Sequence, residues 1–94
     1  MTIIQIKKIE DCFDGSMIYE IIFNSPVTRP LLDYFAGLGA LQYYNFTRPF
    51  YKITVLGKYE LQGILNESQL KIILARDNPL QFLEEFKIKF KNWQ

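Results

Sequence analysis

The chain has 94 residues, about half of them apolar, with eleven basic and ten acidic side chains, no histidine and one cysteine. A single domain of that size buries roughly 60 to 65% of its unfolded surface, enough for a core without staples. The near-zero charge lacks the basic footprint of a nucleic-acid binder, a lone cysteine cannot form an intramolecular disulfide or a thiolate zinc cluster, and the absence of imidazole removes Ser-His and Cys-His catalysis and His-ligated metals.

From the N-terminus, residues 2–13 and 16–24 are rich in Ile, Tyr and Phe and are separated by Asp14-Gly15, a strong hairpin signal. In the second run Met17, Tyr19, Ile21 and Phe23 form the better core face. The opening MTIIQIKKIEDCF has no basic stretch ahead of an apolar run, and no segment approaches the roughly 20 apolar residues of a membrane span. The expectation is a soluble, unprocessed, cytoplasmic chain. Cys12 has no neighbour that would activate its thiol and reads as an inert small side chain.

The period changes next. Leu31, Tyr34, Phe35 and Leu38 share one helical face, which predicts a helix from about Thr28 with Pro30 in its first turn and Gly39 as a left-handed stop. Residues 41–76 then read as strands without interruption, with turns at Gly57-Lys58 and Asn66-Glu67. Asn78, Pro79 and Gln81 form a helix-start signature, and Phe82, Leu83, Phe86, Phe90 and Trp93 make an apolar stripe opposed by Glu84, Glu85, Lys89 and Asn92. The expected architecture is α+β, residues 1–94 as one domain. It is a mostly antiparallel sheet of five to six strands with two helices on one face, in the order strand, strand, helix, strand meander, helix. This element order resembles the TATA-binding-protein-like and helix-grip arrangements, a likeness of order only that matches no motif and implies no activity.

With two-residue loops at both turns, Leu56 pairs with Tyr59 and Leu65 with Ser68. One face then carries Phe50, Leu56, Tyr59, Leu61, Leu65, Leu70, Ile72 and Leu74, interrupted by Lys52, Thr54 and Gly63, and is expected to be the core. The opposite face carries Tyr51, Ile53, Val55, Ile64 and Ile73 among Glu60, Gln62, Gln69 and Lys71. Folding 41–47 back on 50–56 adds Tyr44 and Phe46 to it. The adjacent pairs Tyr43-Tyr44 and Phe50-Tyr51 thus each send one ring inward and one outward, since successive strand residues face opposite sides.

These features point to a small non-catalytic protein-interaction module that associates with itself as a homodimer, or with another protein, through Tyr44, Phe46, Tyr51, Ile53, Val55, Ile64 and Ile73. No cofactor, metal or catalytic residue is assigned, because no positioned carboxylate pair, nucleophile or phosphate loop is present. Two alternatives accompany this reading. One is single-stranded nucleic-acid binding by stacking on Tyr44, Phe46 and Tyr51 beside Lys71 and Arg48. The other is a pocket for a small anion at Lys52, placed on the core face opposite Gly63. Arg29 and Arg48, each ahead of a proline, read as solvated side chains.

Overall fold

The structure is a computed structural model describing residues 1–11 and 15–93. The Cys12 thiol and Asp14 of the first turn lie outside the described residues. Among these residues the chain runs β1 (Ile3–Asp11), β2 (Met17–Phe23), α1 (Arg29–Ala36), β3 (Ala40–Tyr44), β4 (Phe50–Val55), β5 (Tyr59–Ile64), β6 (Gln69–Leu74), α2 (Pro79–Trp93). The six strands form one antiparallel sheet in the order β1-β2-β6-β5-β4-β3. After the β1-β2 pair, α1 carries the chain to the far edge, and the meander from β3 to β6 returns it to β2. The expected α+β class and element order are those of the structure.

Both helices form where periodicity placed them. Thr28 has extended backbone ahead of α1 and its carbonyl accepts the Leu32 N–H (3.0 Å), with Pro30 in the first turn, where no N–H is needed. The end of α1 differs from expectation. The helix stops at Gly37 in a right-handed conformation, and Gly39 serves packing instead, because a Cβ there would lie 2.3 Å from the Thr54 carbonyl oxygen. At α2 the Asn78 carbonyl accepts the Phe82 N–H (3.0 Å) and Pro79 is the first helical residue. Among the described residues no helix is long and apolar enough to cross a membrane.

The core lies between the helices and one sheet face. Ile21, Phe23, Leu61, Leu70, Ile72 and Leu74 meet Leu31, Leu32 and Phe35 of α1 and Leu83, Phe86 and Phe90 of α2. Aromatic rings knit the layers: Phe90 contacts Phe23 (5.1 Å between centroids), Phe86 contacts Phe35 (5.7 Å), and Tyr59 meets Phe86 edge-on (6.0 Å). The Tyr34 hydroxyl donates to the Lys89 carbonyl (2.7 Å), fastening α1 to the last turns of α2. Trp93 is half-buried against this core.

One strand departs from the expected faces. The loop between β4 and β5 has three residues, so Val55, not Leu56, lies opposite Tyr59. Its turn closes through Lys58 N–H to the Val55 carbonyl (3.0 Å), with Gly57 at φ 77°, a left-handed value that glycine adopts without steric cost. This one-residue shift exchanges the faces of β4. Tyr51 and Ile53 are fully buried, Val55 is half-buried on the same side, and Leu56 is 91% exposed at the turn. Phe50, Lys52 and Thr54 move to the helix-free face. The reason is energetic: an extra loop residue costs a few tenths of a kcal/mol, whereas the shift exchanges Phe50 for Tyr51 and Lys52 and Thr54 for Ile53 and Val55, which even with Leu56 left exposed is a net gain of about one aliphatic side chain, about 1.5 to 3 kcal/mol, and leaves no ammonium desolvated. The β5-β6 register is as expected, with Tyr59, Leu61 and Gly63 opposite Leu74, Ile72 and Leu70.

Candidate functional site

The helix-free face is a grid whose rows cross the whole sheet. The middle row is fully polar: Gln42, Lys52, Gln62, Lys71, Glu20 and Lys7 lie opposite one another in turn. On one side of it run Ala40, Thr54, Glu60, Ile73, Ile18 and Glu10. On the other, Tyr44, Phe50 and Ile64 form an apolar end, and Ile22 and Gln69 continue the row toward β1. Strand alternation alone produces this pattern, since each buried residue leaves its neighbour on the open side.

Around Glu60 the polar side chains satisfy one another. Glu60 accepts from Gln62 (2.6 Å) and Thr54 (3.4 Å) and pairs with Lys52 (3.4 Å). Lys52 therefore stands on the open face opposite Gln62, not on the core face opposite Gly63, and its charge is countered by Glu60. Across the face three lysines (Lys7, Lys52, Lys71) are matched by three glutamates (Glu10, Glu20, Glu60), so the surface is locally neutral.

Apolar side chains collect at one corner. The rings of Tyr44 and Phe46 stack (5.9 Å between centroids, 17° between planes), and Phe50 leans on Tyr44 at 5.8 Å. Phe46 is 66% exposed and Tyr44 40%, although both are large aromatics. The loop of residues 45–49 holds them there: the Phe46 N–H donates to the Tyr44 carbonyl (2.9 Å), the Pro49 carbonyl accepts from Leu65 N–H (2.8 Å), and Arg48 is ion-paired with Glu67. Beside this corner is a hollow of about 220 Å³ lined by Glu20, Phe50, Gln62, Ile64, Glu67, Gln69 and Lys71.

Of the residues expected to meet a partner, Tyr44, Phe46, Ile64 and Ile73 stand on the open face, and the structure brings the first three to one corner with Phe50. Tyr51, Ile53 and Val55 belong to the helix-covered side, which withdraws the proposed patch centred on Tyr51 and Ile53. Sequence reasoning missed Phe50 as a surface residue. The signal was available in residues 50–55, where odd positions are Tyr, Ile and Val and even positions include Lys and Thr. The two arginines are separately engaged, Arg29 by Asp33 (3.1 Å) and the Tyr43 ring (5.1 Å), Arg48 by Glu67. No group of three or more potential metal ligands converges among the described residues.

No protein-family model, curated protein or solved structure matches the chain.

Proposed function

We propose that this chain is a small non-catalytic protein-interaction module whose binding surface is the helix-free sheet face, anchored by Tyr44, Phe46 and Phe50. The observation that carries the reading is the exposed Tyr44-Phe46 stack, held out by a loop whose backbone and arginine are tied down. A solvent-exposed phenylalanine fixed in place is an anchor residue: burying it under a partner is worth about 1.5 to 3 kcal/mol, with little ordering cost left to meet on binding. The neutral face favours a protein of mixed charge. A single-stranded nucleic acid would require net positive charge around the rings, but here Lys52 is countered by Glu60 and Arg48 by Glu67, and Tyr51 is buried and unavailable for stacking.

The test uses wild type and a Phe46→Ser/Phe50→Ser variant of unchanged circular dichroism. Expected is a partner protein retained by wild type through a high-salt wash and lost with the variant, together with no saturable binding of a single-stranded oligonucleotide at low salt. Oligonucleotide binding that falls steeply with salt would overturn the reading in favour of nucleic-acid stacking.

A further inference from the structure

The two edge strands differ in how they treat their free sides. β1 is nine residues long, presents Lys7 and Lys8 in succession and is broken by register irregularities between Ile3 and Gln5 and between Lys8 and Glu10. Charges and bulges of this kind keep an edge from pairing with another chain. β3 has neither: Ala40, Leu41, Gln42, Tyr43 and Tyr44 carry no charge and no proline, and they pair with β4 in unbroken register.

The direction of the free backbone groups on β3 follows from alternation in an antiparallel ladder. Leu65 N–H donates to the Pro49 carbonyl (2.8 Å), so odd-numbered residues of β4 aim their N–H and C=O groups at β5 and even-numbered ones aim theirs at β3. Thr54, Lys52 and Phe50 thus engage Ala40, Gln42 and Tyr44. Leu41 and Tyr43 are left directing their N–H and C=O groups away from the sheet.

We propose that β3 pairs antiparallel with β3 of a second copy about a twofold axis at Gln42, making one sheet continuous across the dimer. In this register Leu41 lies opposite the partner's Tyr43, and each donates and accepts one main-chain hydrogen bond with the other, so every outward group of Leu41 and Tyr43 is satisfied. On the open face Ala40 meets the partner's Tyr44, a small residue beneath a large ring, and Gln42 meets its own copy. No like charges oppose one another, as Lys7 and its copy would if β1 paired with itself about its central residue. The strand is self-complementary under the twofold operation that closed dimers use. This inference concerns the sheet edge and stands apart from the open-face reading, since the Phe46→Ser/Phe50→Ser variant keeps the edge backbone intact.

The experiment is sedimentation velocity with light scattering on wild type, Gln42→Lys and Gln42→Glu. Wild type is expected at twice the 11.1 kDa chain mass, and each variant at the chain mass with unchanged circular dichroism, because Gln42 is exposed and the axis sets each new charge against its own copy; Gln42→Glu, which faces Lys52 within its own chain, meets a like charge at the axis alone. Mixing the two variants is expected to restore a one-to-one dimer through the opposite charges. Wild type that stays at the chain mass, a Gln42→Lys variant that stays dimeric, or a mixture that stays monomeric would each overturn the proposal.

Discussion

Tyr51 and Gly63 show how two residues specify one another. They are cross-strand partners on the core face, and the tyrosine ring occupies the space that a side chain at 63 would take: a Cβ there would lie 2.5 Å from the Tyr51 hydroxyl oxygen and 2.7 Å from Cζ. An aromatic laid over a strand glycine covers backbone that would otherwise lose packing. Gly63→Ala is therefore expected to destabilise by about 1 to 3 kcal/mol, read as a lower denaturant midpoint. The same hydroxyl is buried without a hydrogen-bond partner. Tyr51→Phe keeps the ring and removes the unpaired group, so stability is expected to rise by about 1 kcal/mol in the same measurement. Burial also pushes the Tyr51 phenol up, and burial with the Glu85 carboxylate and Tyr34 pushes Tyr59 up to about 12. A phenol whose folded pKa exceeds the unfolded value of about 10 binds its proton more tightly when folded. Its contribution is present in full below pH ~10 and is lost as pH rises through the folded value. Thermal midpoints should fall across pH ~10 to ~12, and Tyr51→Phe should lessen the fall.

β4 shows why an element can be recognised from sequence while its faces are not. Residues 50–55 were legible as a strand, and the paired aromatics were legible as one ring in and one out. Which ring went where depended on a loop length, and Gly57 is compatible with two-residue and three-residue turns alike. The burial pattern decided: Tyr51, Ile53 and Val55 outweigh Phe50, Lys52 and Thr54 as core material. Adjacent substitutions separate the two registers. Ile53→Asp places a charge in the core and is expected to abolish the cooperative melting transition, whereas Thr54→Lys, beside Glu60 on the open face, is expected to leave it within about 0.5 kcal/mol of wild type. At the other end of the chain, Phe90 is buried between Phe23 and Phe86. Removing residues 90–94 should cost about 3 to 5 kcal/mol, measured by chemical denaturation, as truncation of a buried aromatic does.

At the scale of the whole molecule, one sheet face is spent on the core and the other is left to meet the surroundings with balanced charge and an aromatic corner. A binding energy concentrated in Tyr44, Phe46 and Phe50 has a thermodynamic signature: association through this corner is expected to show a negative heat-capacity change and little dependence on added salt, measured by calorimetry at two salt concentrations. The Phe46→Ser variant should weaken it by about tenfold or more, in proportion to the apolar area withdrawn.

Local chemistry was enough to determine the elements and their order. Asn78 and Pro79 marked the start of α2 and the change of period marked α1; the strand runs in 41–76 marked a meander, because caps, turns and periodicities act over a few residues and are written in consecutive positions. The faces of β5 and β6 followed from the same alternation. Alternation in residues 50–55 favoured Tyr51 and Ile53 as the inner set, but the turn signal opposed it, and packing in the tertiary structure decided that they go inside, that Phe50 joins Tyr44 and Phe46 at the corner, and that Lys52 turns from a pocket toward Glu60. Those outcomes depend on the comparison between two registers of nearly equal local cost, and the difference between them is the apolar area each buries under α1 and α2. That area exists only once strands and helices from distant parts of the chain have come together.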